Sequence, residues 1–388
     1  MSVNTMSIEQ AYTLIASLHA QATGVSTSTP TDLSSFISVA QSTLQNGYDP
    51  VMNAISQVIG KTIVAVRDYD RKFPGLEWSA EKWGAIIRKI SFADTAAQAA
   101  PAFALVNGAS IDKYVVKKPD VLETRYVGSV IYQGQYTIFE TQLDVAFSNP
   151  AEFASFMSGL MVHFSNEREQ WLEELARSAI ANFIGAKNAL GSNVVHLLTE
   201  YNTATGLALT STTVRQPANY PGFVKWVYAR LQKISRDMTE RSQMFQEVIT
   251  GKPIFRHTPV ADQRFYIDAD LKAHMEAEVL SSTYNDSFLR LADNESVSYW
   301  QAIDDPNTVK VTPTYIDNTG AIVVGTAQVV NDVVGVIFDR DAIGYNVYMD
   351  RIDTTELNQK GLYYNMFSNV RVQFQNDFTE KGVVLLLD

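Results

Sequence analysis

The chain contains no cysteine in 388 residues. That excludes disulfides, thiolate nucleophiles and cysteine metal sites, and it suits a reducing cytoplasm. Apolar runs of the 18 or so residues needed to cross a bilayer are also missing. The opening residues, MSVNTMSIEQ, lack the basic segment of a signal peptide. A soluble, unsecreted protein without a membrane partner is expected. Positive charge is scarce: 31 Lys and Arg stand against 42 Asp and Glu, for a formal charge of −11. Such a balance argues against a protein whose main task is to grip phosphate.

Signatures of chemistry are equally sparse. No G-x-G-x-x-G, G-x-S-x-G or H-E-x-x-H occurs. The GKT at 60–62 lacks the earlier glycine of a phosphate loop, because Ile55 stands there, and it reads as a helix stop followed by a strand. Asp270 and His274 are four residues apart on an expected helix, yet two ligands do not make a metal site. Lys225, Arg230, Lys233 and Arg236 cluster on another expected helix, where DNA phosphates or plain solvent account for them equally. No cofactor, metal or catalytic residue is therefore expected.

What the sequence does have is one very long helix. Asn149 is a good N-cap, Pro150 fits the first helical position, and Glu152 completes the pattern of a capping box. Phe153, Met157, Leu160 and Phe164, then Trp171, Leu175, Ala179 and Phe183, recur at helical spacing and predict one buried face over 149–185. Glu173 and Arg177 form an i,i+4 pair expected on the opposite side. At 1.5 Å per residue the rod spans roughly 54 Å, far beyond a usual helix of about 10 to 14 residues.

Around it, residues 1–59 read as short helices on a flexible tether, an arm, since QATGVSTSTPTDLSS cannot bury a core. Residues 71–135 are irregular, and a long insertion of this kind is usually functional. Its Trp78 and Trp83 suit an interface, and its Lys113, Lys117 and Lys118 suit acidic groups of a neighbouring chain, although exposed lysines need no partner. Alternation at Tyr136 and Ile138, then Leu143, Val145 and Phe147, predicts a strand leading into the rod. A short strand near VVHLL and a turn-rich NTATGLALTSTT follow it. A second helix from Tyr220 buries Phe223, Val227, Leu231, Ile234 and Met238, and RFYI is a strand ending at the N-cap Asp268. Strands prevail beyond Ser296. The class is α+β, a long helix laid on an antiparallel sheet.

Three blocks carry a resemblance: KKPDVLETRYVGSVIYQGQYTIFETQLDVAFSNPAEFASFMSGLM, RFYIDADLKAHMEAEVLSSTYN and VIFDRDAIGYNVYMDRIDTTELNQKGLYYNMFSNVRVQFQNDFTEKGVVLL. In this order they resemble the tailed-phage major capsid proteins of the Hong Kong 97 fold, closest to the small-podovirus head proteins. The resemblance implies an N-terminal arm (1–59), a peripheral-domain strand (60–70), an extended loop (71–135), a peripheral domain (136–216) with its spine helix (149–185), an axial domain (217–341) and a return to the peripheral domain (342–388). It further implies a structural subunit, not an enzyme, forming hexamers and pentamers of an icosahedral or prolate virion shell around double-stranded DNA. Assembly in the host cytoplasm with scaffolding and portal proteins, and nonspecific contact with the packaged DNA, are implied as well. Some relatives append an immunoglobulin-like domain, which a chain ending at Asp388 is expected to lack. Some crosslink a loop lysine to a neighbour's asparagine; no such pair aligns here, and none is expected. The alternatives are an encapsulin-type compartment, a minor virion protein, and a metal enzyme built on Asp268, Asp270 and His274.

Overall fold

The computed structural model describes residues 7–45, 47–62, 69, 71–78, 86–95, 97, 105–112, 114, 116–252, 254–280 and 294–388. It opens with α1 (Ile8–Thr23), α2 (Leu33–Gln45) and α3 (Tyr48–Thr62). A capping box starts α1: the Ser7 side chain accepts from the Gln10 amide, and the Gln10 side chain accepts from the Ser7 amide at 2.9 Å. The arm is not a free tether. Ile15 and Leu18 of α1, Phe36 of α2, and Met52 and Ile55 of α3 are buried in one core. The sequence reading missed α2, which begins where the Ser/Thr-rich stretch ends, although Phe36 and Ala40 at i,i+4 give it a buried face. Residues 60–62 are the last turn of α3, so Gly60 is not the stop expected of it. Of the strand expected to follow, all but Tyr69 lies outside the described residues.

Next come β1 (Ile86–Phe92), β2 (Val121–Val127) and β3 (Val130–Phe139). The region read as irregular thus contains an antiparallel pair, β1 with β2, in register from Ile86↔Val127 to Phe92↔Val121. Where a strand was expected over Leu143 to Phe147, the chain forms α4 (Glu140–Ala146). Leu143, Ala146 and Phe147 satisfy i, i+3, i+4 spacing as well as partial alternation, and all three turn into the core while Val145 stays exposed. Tertiary burial chooses the helix.

The rod is α5 (Pro150–Leu190), 41 residues and about 60 Å long. The Asn149 side chain caps it, accepting from Ala151 N at 2.7 Å and Glu152 N at 3.1 Å. It runs five residues past the expected end, because Gly185 is not its cap. A methyl at Gly185 would run into Val311, so this glycine admits a close neighbour, and the left-handed cap is Gly191.

Beyond the rod lie β4 (Val194–His196), α6 (Leu197–Thr205), α7 (Ser211–Val214), α8 (Tyr220–Thr239), β5 (Gln263–Asp268) and α9 (Ala269–Leu280). The stretch read as turns is therefore partly helical; Leu198 and Tyr201 bury one side of α6, and Gly206 ends it. The strands β6 (Asn294–Val297), β7 (Val309–Val311), β8 (Thr314–Ile316), β9 (Ile322–Val324), β10 (Gln328–Val330), β11 (Val333–Asp339), β12 (Ile343–Thr354), β13 (Tyr363–Asn376) and β14 (Gly382–Leu386) complete the chain.

Two larger sheets organise the molecule. One has the order β12-β13-β3; the other has five strands in the order β4-β14-β11-β5-β6. The second is covered on both faces, which is why VVGVIF and GVVLLL read as continuous apolar runs. Val384, Leu386, Val336, Phe338 and Tyr266 join the core built on Leu175, Ala179 and Phe183 of α5. Alternate residues Val383, Leu385, Ile337, Phe265 and Ile267 join Phe223, Val227, Leu231, Ile234 and Met238 of α8. The expected domain boundaries do not follow these sheets. β14 returns to the five-stranded sheet, and β4 belongs to it too, whereas β12 and β13 pair with β3. The rod serves both lobes: its first half buries Phe153, Met157, Leu160 and Phe164 against the α1–α3 core, and its second half meets the five-stranded sheet.

Candidate functional site

The β1–β2 hairpin has two unlike faces. Opposed pairs alternate across it, so Ile87, Lys89 and Ser91 share one face with Tyr126, Thr124 and Leu122. This inner face rests on a polar seat formed by residues 241–252, 254–256 and 377–380. Lys89 is ion-paired with Asp377 and Glu380, and Arg256 reaches Glu380 at 3.4 Å and donates to Ser91 Oγ at 2.6 Å. Asp94 accepts from Phe255 N at 2.8 Å and pairs with Arg241. Lys252 donates to the Val121 carbonyl. Burial would raise the Asp377 carboxyl, but the Lys89 charge and the Thr379 hydrogen bonds hold it below the usual carboxylate range. At Glu380 burial wins over the two cations, and its pKa is raised.

The outer face is different. Ile90, Phe92, Val121 and Val127 are exposed there, around a surface triad in which Glu123 accepts from Arg88 and Arg125 at 2.7 and 2.6 Å. Beyond the hairpin, Leu105, Val106, Ile111, Tyr114 and Val116 are exposed as well. Residues 71–135 hold nine Lys or Arg against six Asp or Glu, reversing the balance of the whole chain. A basic, apolar projection rises from an acidic body.

Of the residues named from sequence, Trp78 is half-buried on its own chain: its indole donates to the Arg340 carbonyl at 3.3 Å and lies over Gly344, where a Cβ would meet the ring at 2.5 Å. Lys117 and Lys118 are exposed. Trp83 and Lys113 lie outside the described residues. Phe153, Met157, Leu160, Phe164, Leu175 and Phe183 are buried, whereas Trp171 is partly exposed and packs over Gly134 of β3. Glu173 and Arg177 are not on a solvent side. They pair at 2.7 Å in the interior, where Glu173 also accepts from the Tyr69 hydroxyl at 2.6 Å and Arg177 stacks on Tyr299. The hydrogen bond to Glu173 and partial burial push the Tyr69 phenol up to about 12. The seat residues Lys89, Arg256, Asp377 and Glu380 were missed. The strand alternation of IIRKISF was a usable signal for the hairpin, but nothing local announces partners 288 residues apart.

A family model described as Phi29-like phage major capsid protein matches residues 12–383. The chain belongs to that family. This head subunit is a structural protein, not an enzyme. Its fold is that of a solved chain from the capsid structure of Staphylococcus phage Andhra, at 10% identity and a TM-score of 0.58, covering 84% of this chain and 86% of that one. A chain from the structure of head fiber and inner core protein gp22 of native bacteriophage P68 is similar at 11% identity and a TM-score of 0.55, covering 84% and 86%. No curated protein matches. The α+β architecture is the Hong Kong 97-like capsid fold, and the subunit builds a multimeric shell of the virion. Among the described residues no helix is long and apolar enough to cross a membrane, and no three potential ligands gather as a metal site. Asp270 and His274 are an exposed pair 3.7 Å apart. Of the basic residues on α8, Arg230 pairs with Glu200, Lys233 with Asp237 and Lys225 with Glu278. A cleft of about 580 Å³ beside the middle of α5 is lined by the Tyr69, Glu173, Arg177 and Tyr299 network, which is already hydrogen-bonded within itself.

Proposed function

We propose that this head subunit forms hexamers and pentamers that close into an icosahedral or prolate shell around double-stranded DNA. The five-stranded lobe is the axial domain at the ring centre, and the β1–β2 hairpin with its tip is the extended loop lying over neighbouring copies. The observation that carries this reading is the outer face of the hairpin, apolar and exposed on a projection whose inner face is fully engaged. An exposed apolar face rimmed by charge marks an interaction surface. Trp83, Lys113, Lys117 and Lys118 serve as contacts to a neighbour, and Trp78 fixes the loop's origin on β12 from beneath. Heterologous contacts of this sort close into rings. Several interfaces of about 1,600 Å² each give cooperative strength without one very tight contact.

Scaffolding and portal proteins are the further partners, with assembly in the host cytoplasm. Packaged DNA is touched nonspecifically, and the charge of −11 suits a container that does not hold its contents fast. Negative-stain microscopy of the purified chain, alone and co-expressed with its neighbouring genes, tests the reading. Replacing residues 93–120 by a short turn is expected to leave folded, unassembled subunits. Normal shells from that variant would overturn the assignment of the loop.

A further inference from the structure

Residues 241–258, between α8 and β5, form a connection longer than the roughly 12 to 15 residues usual for one without a helix or strand of its own, and such connections are usually functional. Residue 253 lies outside the described residues. The segment is closed at its base by Ser242 and Arg256, whose amides and carbonyls exchange hydrogen bonds of 3.0 and 3.2 Å, and the Gln246 side chain donates to the Ile254 carbonyl. Its two limbs are fastened to each other.

The base sits on the hairpin. Asp94, two residues past β1, accepts from Phe255 N at 2.8 Å and pairs with Arg241, while Arg256 donates to Ser91 Oγ at 2.6 Å. The far part sits on the end of the rod. Glu247 N donates to the Phe378 carbonyl at 2.8 Å, and one oxygen of the Glu247 carboxylate accepts from Lys187 Nζ at 2.7 Å, Ser192 Oγ at 2.6 Å and Asn193 Nδ2 at 2.8 Å. Lys187 is 0% exposed, so its ammonium cannot exchange Glu247 for water, and the contact is kept whole or lost whole. Beyond Glu247, Thr250 N donates to the Asn318 carbonyl at 2.7 Å in the turn between β8 and β9.

The backbone is strained between these anchors. Phe245 (φ 68) and Thr250 (φ 56) are left-handed without being glycine, and a β-branched residue there is an outlier. Strain of this kind persists only where the surrounding contacts over-determine it, and it collects in segments that switch.

We propose that residues 241–258 are a strap that couples the seating of the β1–β2 hairpin to the packing of the rod's C-terminal end. When 254–256 shift with the hairpin, the Ser242–Arg256 bridge and Gln246 carry the displacement to Glu247, whose bonds to the rod are then given up together, and Thr250 relaxes from its left-handed conformation. Coupling is reciprocal, so loosening the contact at the rod also loosens the hairpin. This is a property of the single chain and holds whatever lies over the hairpin's outer face.

Hydrogen exchange on the unassembled full-length chain, read peptide by peptide by mass spectrometry, tests it. Asp94→Asn keeps the side chain's shape but removes its charge beside Arg241. Exchange is expected to quicken about fivefold in 243–252 and in 188–193, neither of which touches Asp94, and to stay unchanged in 224–238 of α8. Glu123→Gln, on the outer face of the same hairpin and away from the strap, is the control and is expected to leave 243–252 and 188–193 as they are. In the reverse direction Ser192→Ala, which takes one hydrogen bond from Glu247, is expected to quicken exchange in β1 about twofold. Acceleration confined to β1, β2 and 254–258 in the Asp94→Asn chain overturns the strap, as does β1 exchange that ignores Ser192→Ala. A uniform acceleration that includes α8 overturns it too, since the substitution then acts through global unfolding.

Discussion

The rod runs through both lobes, the hairpin projects from them, and the two are held by opposite means. Along α5, apolar side chains are buried from Phe153 to Ile184, and even the Glu173–Arg177 pair is interior. The β1–β2 hairpin is held by Lys89, Arg256, Asp94 and their partners, and it turns Ile90, Phe92, Val121 and Val127 outward. Burial of a large apolar side chain stabilises by about 1.5–3 kcal/mol, whereas a partly exposed ion pair contributes about 1 kcal/mol or less. Fold stability therefore resides in the rod and its two lobes, and the hairpin is free to give its apolar area to a neighbour.

The sharpest break of this comparison is in the body. Phe183→Ala removes a fully buried ring that stacks on Phe378, and it should cost about 3–5 kcal/mol in denaturant unfolding. Glu247→Ala is expected to cost a similar amount, about 3–5 kcal/mol, because it leaves the fully buried Lys187 ammonium, 2.7 Å away, without its carboxylate. Lys187→Met, which removes the buried charge itself, should be far milder in the same titration. Burial already pushes Lys187 below the usual lysine range despite Glu247. A smaller effect, about 1–3 kcal/mol, is expected of Gly185→Ala, whose methyl is forced against Val311.

The hairpin responds differently. Lys89→Ala should accelerate amide exchange in β1 and β2 far more than in α5, and because it strips the buried Asp377 and Glu380 carboxylates of their common cation it should also cost the body some stability. Acid provides the same test without mutation. Asp377 has a depressed pKa, so its contribution is present above 3.8 and is lost as pH falls through the lower folded value. Glu380 has a raised pKa, so it opposes folding when ionised and ceases to do so as pH falls through a value above 4.5. The seat should consequently hold at pH 4.5 and release only below 3.8, as read from exchange rates in β1.

Local chemistry made much of this molecule legible. Asn149 and Pro150 mark the start of α5 unambiguously, and the spacing of Phe223 to Met238 gives α8 its buried face. The errors have specific causes. The Leu143 to Phe147 stretch satisfies two periods at once, and only contact with the α5 core selects the helix. Gly185 reads as a helix stop until Val311, far along the chain, is brought against it. The arm looked mobile because the polar Ser/Thr stretch before α2 draws attention from Phe36 and Ala40, which dock α2 with Ile37, Val39 and Leu44 beside them. The residues that seat the hairpin come from two separate stretches, one with Arg241 and Arg256 and one with Asp377 and Glu380, that meet it only in the folded chain.

The division between a self-sufficient body and an outward-facing hairpin is tested most directly by sedimentation velocity on the Phe92→Ser, Val127→Ser double variant beside the parent chain. Exposed positions of this kind should alter unfolding free energy by about 0.5 kcal/mol or less. The account predicts a parent that sediments as shells and a variant that sediments as folded single subunits. Shells of normal size from the variant would contradict it.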